Sequence, residues 1–405
     1  MSQKMEKEEP VPAAEAQPME NIPEYEEFLK PIKNNLWLAG IPYGDPKFYL
    51  RFFAIYIQLV LMIFLEVAFF VSRIAPENFL ELTQLAPCTG SGILTALKIL
   101  PIVQQRKKIY DLTECLGKLY DGILKDNKKW NLVKKELVFV KLLTKYYFVL
   151  NLLLISVYNF SSPFLMMYRY FTTHELVFRL PYAVLLPFST EAWLPWTVVY
   201  IHSIICGYNC VLFYTIVDGF YFVLTTHVCA NFSIISDMIL TLDKTTVDRL
   251  ANIIKQHQYI LKLGEDLEDI FTAANLFNVL VGSLQICALG FNLTTGSWEQ
   301  IPGCILFLLS VLLQILMMSV FGENVIRESK NIGDAAFLCK WYEMDEKSKK
   351  TILTIMIRAK KPQQLTVYKF STICYASFTK IISTSWSYFT ILRTVYKPSE
   401  VSHSD

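Results

Sequence analysis

Seven stretches of the chain are apolar for long enough to cross a bilayer core, whose ~30 Å needs about 20 helical residues. Five are clear: 52–72 (FFAIYIQLVLMIFLEVAFFVS), 137–158, 194–224, 271–293 and 302–321. The stretch 79–103 is interrupted by Pro87, Gly90 and Gly92, which predicts a broken helix, and 367–393 carries Lys380 together with a run of serines and threonines. An all-α fold follows, a polytopic membrane protein with seven transmembrane helices.

Between the spans the pattern turns polar without losing its order. In TVDRLANIIKQHQYILKLGEDLEDIFTAANLF (246–277), Val247, Leu250, Ile254, Leu261, Leu267 and Ile270 recur at about helical spacing. The fifth helix is therefore expected to continue below the membrane, as a packing and assembly surface or as a solvated amphipathic helix. The segment 159–193 contains RLPYAVLLPF, whose apolar run between Pro181 and Pro187 is too short to span and reads as a lid over the outer side. Residues 1–35 are acidic and proline-dotted, with no apolar core of the kind a secretory signal requires. They are read as a cytoplasmic N-terminal segment, 36–396 as the membrane unit and 397–405 as an extracellular tail.

Charge sets the orientation. Positive residues are retained in the cytoplasm, and with the N-terminus inside, the cytoplasmic connections hold 28 Lys and Arg against four outside. The chain is thus expected to have a cytoplasmic N-terminus and an extracellular C-terminus, with helices 4 to 7 extended into the cytoplasm as an assembly region. G-protein-coupled receptors, which share seven helices but place the N-terminus outside, are excluded by this count. At 53% hydrophobic and 18% charged, with a net charge of +2, the composition fits lipid and not a nucleic-acid surface.

Little conventional chemistry is visible. The nine cysteines show no CxxC pair and the five histidines are scattered, so no metal site, disulfide framework, cofactor or catalytic residue is indicated. Glu66 and Asp218, each about 9 Å from an end of its span at 1.5 Å per residue, could both reach an interface and are read as structurally paired charges in preference to gating ones. Asn159, Asn231 and Asn292 head Asn-x-Ser/Thr sequons. The topology makes Asn231 cytoplasmic and leaves Asn159 and Asn292 as candidate glycosylation sites, poor ones so close to the membrane.

The last span has faces. Stepping at three and four residues, Ser377, Lys380, Thr384, Ser387 and Ile391 form one stripe, while Phe378, Ile382, Phe389 and Leu392 fall elsewhere. A lysine facing lipid in mid-span costs about 2.5 to 3.5 kcal/mol on insertion scales, so Lys380 is expected to face water or protein. The stripe is read as a pore wall or, since a fixed positive charge repels a permeant cation, as a subunit boundary.

Several stretches resemble an insect odorant receptor: LPYAVLLPFSTEAWLPWTVVYIH, VDGFYFVLTTHVCANFSIISDMI, GENVIRESKNIGDAAFLCKWYEM, and TILTIMIRAKKPQQLTVYKFSTICYASFTKIISTSWSYFTILRTVY through the seventh span. The resemblance covers roughly 35–396 and implies an odorant-gated, non-selective cation channel in the plasma membrane of olfactory sensory neurons. This chain would be the variable, ligand-binding subunit of a heterotetramer with a shared co-receptor subunit, since its second cytoplasmic loop (225–270) is short. Such a channel takes a small volatile odorant or pheromone and requires no G protein.

The family places its constriction three and seven residues after the Tyr of the SYF motif, here Tyr388, which implies Ile391 and Val395 as the gate, with Ser387, Thr384 and Lys380 along the same pore-facing stripe. Rings of apolar side chains gate by excluding water. The family pocket lies in the outer half of the bundle, which implies Phe79, Thr83 and Gln84 on the second helix, Asn151, Ile155 and Tyr158 on the third, Tyr200 and His202 on the fourth, and Ile305 and Leu308 on the sixth. The competing readings are a gustatory receptor of the same superfamily and a secondary transporter. Intramembrane charges and the broken second helix speak for the transporter, but its paired inverted repeats are missing.

Overall fold

The computed structural model describes residues 22–44, 49–75, 78–296 and 301–395. Its helices are α1 (Tyr25–Ala39), α2 (Leu50–Ser72), α3 (Phe79–Gln104), α4 (Arg106–Leu124), α5 (Asn127–Thr173), α6 (Trp193–Leu240), α7 (Leu250–Thr295), α8 (Ile301–Leu338), α9 (Glu346–Ala359) and α10 (Tyr375–Val395). Among the described residues, α2, α3, α5, α6, α7 and α8 are long and apolar enough to cross a membrane. The expected seventh span, α10, falls short on composition because of its hydroxyls and Lys380, yet its 21 residues reach about 30 Å at 1.5 Å per residue.

α5, α6 and α7, of 47, 48 and 46 residues, are each about 70 Å long, so they run far past a ~30 Å hydrocarbon core. α6 packs on both α5 and α7. Every residue of α6 from Thr215 to Phe232 is buried, the expected state of a helix that is apolar all round. The polar periodicity of 246–277 is resolved in favour of packing: Leu250, Leu261, Leu267 and Ile270 belong to the same core.

Three expectations are corrected. The boundary drawn at residue 35 falls inside a helix: Phe28, Leu29, Ile32, Leu36 and Ala39 form one buried face of α1. Its neighbours Tyr25, Phe28 and Tyr120 stand edge-on around His227 with centroids 5.0 to 5.6 Å away. The acidic exposed face hid this pattern.

The last helix begins at Tyr375, not near 367. Before it, Thr366–Val367 and Ser371–Thr372 pair as antiparallel strands β1 and β2, and Tyr368 and Lys369 between them adopt positive φ of 45° and 61°. β-branched residues at strand positions and two left-handed turn residues favour a hairpin over a helical turn.

The second span is one continuous helix. Pro87 cannot donate to the carbonyl of Thr83, and that carbonyl instead accepts from Asn292 Nδ2 on α7 at 2.9 Å. Gln285 Nε2 spans the same turn, donating to the Pro87 carbonyl at 2.9 Å and to Ser91 Oγ at 2.7 Å. Pro163 on α5 is treated likewise: the carbonyl it frees, on Asn159, accepts from Tyr200 Oη of α6 at 3.2 Å. A proline is tolerated in a membrane helix where a neighbour satisfies the freed group.

Candidate functional site

A cavity of about 260 Å³ lies between α2, α3, α5, α6 and α8. On α5, Asn151, Ile155 and Tyr158, three and four residues apart, face it as expected. Its α8 wall is Gly303, Leu306, Phe307 and Ser310, again one helical face. Apolar side chains such as Leu59, Met62, Leu154 and Val311 supply most of the lining.

The segment after α5 closes one side. Tyr182 enters the wall, its hydroxyl donates to Asn159 Oδ1 at 3.0 Å, and Tyr158 Oη donates to the Pro181 carbonyl at 3.0 Å. Ser162 Oγ and Trp196 Nε1 both donate to the Arg179 carbonyl, at 2.7 and 2.8 Å, and Leu185 N reaches the Leu65 carbonyl at 3.2 Å. Gly207 is needed beneath this fold-over, because a Cβ there would stand 2.7 Å from the Tyr182 hydroxyl.

The other seven implied pocket residues lie off the cavity. Gln84 shares the α3 face that bears Cys88, one turn nearer the helix start, whereas Phe79 and Thr83 turn towards α7: Phe79 packs edge-on to Phe291 at 5.7 Å and Thr83 is buried beneath Asn292. Tyr200 and His202 stand one to two turns N-terminal to Cys206 and Gly207, and Tyr200 caps a backbone carbonyl. On α8 the phase itself differs: Ile305 is exposed on the outer surface and Leu308 packs in a cluster with Leu289 and Val311. Both candidate glycosylation asparagines are buried: Asn159 Oδ1 accepts from Tyr182, and Asn292 Nδ2 donates to the Thr83 carbonyl.

The model of the 7tm Odorant receptor family matches residues 78–386. The chain belongs to this family. It is 26% identical over 366 residues to Odorant receptor 67c of Drosophila melanogaster, covering 88% of this chain and 90% of that protein. It is 24% identical over 405 residues to Odorant receptor 67a of the same species, covering 94% and 98%. In fold it is similar to the insect olfactory receptor OR5 from Machilis hrabei in complex with eugenol, with a TM-score of 0.74 and 16% identity over 92% of this chain and all of that one. The receptor is accordingly a multi-pass membrane protein whose relatives are odorant receptors and not enzymes.

Two features of the receptor's core escaped the sequence reading. Glu66 pairs with no other charge among the described residues; it lines the cavity. Asp218 does pair, and with a residue not singled out at all: Lys98 Nζ donates to its Oδ1 at 2.7 Å. Tyr147 Oη donates to Oδ2 at 2.8 Å and Gln314 Nε2 to the same oxygen at 3.2 Å. Gln314 also donates to Asn278 Oδ1 and accepts from Tyr214 Oη. The network thereby joins α3, α5, α6, α7 and α8, and Tyr214 carries it into the cavity wall. Helical spacing could have paired the faces of Lys98 and Asp218 only if the packing partners of α3 and α6 were already known.

On α10 the division between faces is sharp. Ile381, Ser385 and Phe389 are buried towards α7 and α8, and Ser385 Oγ donates to the Ser283 carbonyl at 3.1 Å. Lys380, Thr384, Ser387 and Ile391 are exposed on the other side. The side chain of Val395, the second gate candidate, lies outside the described residues.

Proposed function

We propose that the chain is the odorant-binding subunit of a heteromeric, odorant-gated, non-selective cation channel in the plasma membrane of olfactory sensory neurons. It assembles with a shared co-receptor subunit, with its N-terminus in the cytoplasm, and needs no G protein. The observation that carries this reading is the two-sidedness of α10: a helix packed on its own bundle along one face while the other presents Lys380, Thr384, Ser387 and Ile391 uncovered. A lysine and two hydroxyls on an open face of a membrane helix call for water or further subunits beside them. Those are what a pore at a subunit axis supplies, with Ile391 and Val395 as its apolar constriction.

A mainly apolar cavity with a few polar groups is the form that a site for a small volatile molecule takes. Asn151, Ile155 and Tyr158 are its contact residues on α5, and the eugenol complex of the similar Machilis hrabei receptor supports the same use of the fold. Opening would follow when an occupied cavity shifts α8, whose far face holds α10.

The test is whole-cell recording during odour application in cells expressing this chain alone, a co-receptor alone, or both. Odour-evoked cation current confined to the pair is expected, unaffected by G-protein blockade. Current that survived without any co-receptor, or that needed a G protein, would overturn the assembly.

A further inference from the structure

One polar atom in the cavity wall, on a carboxyl that otherwise interacts only with Thr89, has no partner among the described residues. Glu66 on α2 is 7% exposed, lines the cavity, and its Oε2 makes no hydrogen bond among the described residues. The other polar side chains of the wall are largely spent on the protein. Ser91 Oγ accepts from Gln285 and Thr95 Oγ1 donates to the Ser91 carbonyl. Asn151 Nδ2 donates to the Tyr147 carbonyl, and the Tyr158, Tyr182 and Tyr214 hydroxyls all have partners. A buried, unsatisfied oxygen is destabilising, more so when charged. In a cavity whose wall is otherwise mainly apolar, a bound ligand's own polar group can satisfy it.

We infer that Glu66 selects hydroxyl-bearing volatiles, aliphatic alcohols or phenols, by hydrogen bonding the ligand's O–H within this cavity. The inference rests on the odorant-receptor reading above and gives its site a ligand class. A hydroxyl both donates and accepts, so it satisfies a carboxyl in either protonation state. An ether, ester or ketone has no O–H or N–H to give a carboxylate, and an ammonium has nothing to accept from a neutral acid. The remainder of the ligand is apolar, to match Leu59, Met62, Leu154 and Phe307. A site built around one such bond rejects the analogue that lacks it more strongly than it resolves a methylene.

The experiment compares matched ligands (an aliphatic alcohol with the isomeric methyl ether, the ketone and the primary amine of equal carbon count, then a phenol and its methyl ether). Each is applied to cells expressing the chain with a co-receptor, and each is titrated against the purified chain by thermal shift. The expected result is at least tenfold greater sensitivity to one or both hydroxyl compounds than to the corresponding ether, and the two series tell alcohol from phenol. Glu66→Leu should bring each pair within about threefold while keeping the ether response; Glu66→Gln, which retains a carbonyl acceptor, should keep a hydroxyl preference. Equal wild-type sensitivity to alcohol and ether, preference for the ketone or the amine, or an undiminished hydroxyl preference in Glu66→Leu overturns the inference. If Glu66→Leu does not fold, the wild-type series and Glu66→Gln decide. Absence of current with every ligand counts against the channel reading instead, and the thermal shifts then still test the site.

Discussion

Lys98 and Asp218 form an ion pair at 2.7 Å in the core of the bundle, with the lysine side chain fully inaccessible. The lysine also lies over the Tyr214 ring, 4.1 Å from its centroid. Asp218 is held by α5 and α8 as well, so the pair is the hub of a polar cross-brace among five helices. Such pairs add little net stability over apolar residues of the same size, but breaking one partner leaves a charge stranded, at a cost of about 3–5 kcal/mol. Lys98→Met should therefore abolish folding or surface delivery. Lys98→Met combined with Asp218→Asn should recover much of it, because the amide oxygen still accepts from Tyr147 and Gln314. Surface labelling and the Tm of purified protein measure both; equal loss in the single and double variants would contradict the pairing argument.

Ligand tuning and helix repair should separate at two tyrosines that the sequence made equivalent candidates. Tyr158→Phe removes a hydroxyl from the cavity wall and one anchor of the loop at Pro181, so odorant sensitivity should shift while surface expression holds. Tyr200→Phe strands the Asn159 carbonyl and should lower stability by about 1 kcal/mol with the order of odorant preference unchanged. Concentration–response curves across an odorant panel, alongside Tm, tell the two apart.

For the gate, Ile391→Ser together with Val395→Ser should raise resting conductance or change relative permeability in cells that also express the co-receptor, since a polar ring wets. The effect will be partial, as co-receptor subunits keep their own apolar residues. Leu392→Ser differs in kind: Leu392 packs against Phe291 and Phe389, so it should reduce surface delivery instead. Unchanged conduction in the double variant at normal surface level would remove α10 of this subunit from the pore.

At Gly322 of α8, an added Cβ would come within 2.2 Å of the Ile373 carbonyl oxygen, a backbone atom that cannot swing away. Gly322→Ala should push the hairpin off α8, displace the start of α10 and cost about 1–3 kcal/mol. A fall in Tm of the purified subunit reads it directly. Gly122→Ala, which meets nothing within 4 Å, is the control.

How much of this was legible beforehand depended on which physical quantity each feature expresses. Span positions follow from local hydrophobicity, and the two faces of α10 from periodicity within one helix. The face was also right for Gln84 on α3 and for Tyr200 and His202 on α6, with Gln84 and His202 preceding the lining Cys88 and Cys206 by four residues, but not for Phe79 and Thr83, which turn towards α7. Depth was not, because nothing in a uniformly apolar helix marks where along it a void will fall. On α8 even the face was missed, since Ile305 and Phe307 are both apolar and only the neighbouring helices decide which turns inward. The cross-brace and the proline caps depend on pairs of residues far apart in sequence, which no local pattern encodes.

The proline caps make distant positions inherit one another's fate. Should a lineage replace Pro163, the Asn159 carbonyl regains a donor in its own helix and the hydroxyl of Tyr200 becomes free to be lost. The reverse order, tyrosine before proline, passes through a weakened protein. Pro87 and Asn292 are bound by the same rule of precedence. Substitutions at these sites should therefore accumulate in pairs and in a fixed order. The Asn-x-Thr triplet at 292 would persist in descendants through its bond to α3, and would vanish wherever position 87 regains an N–H.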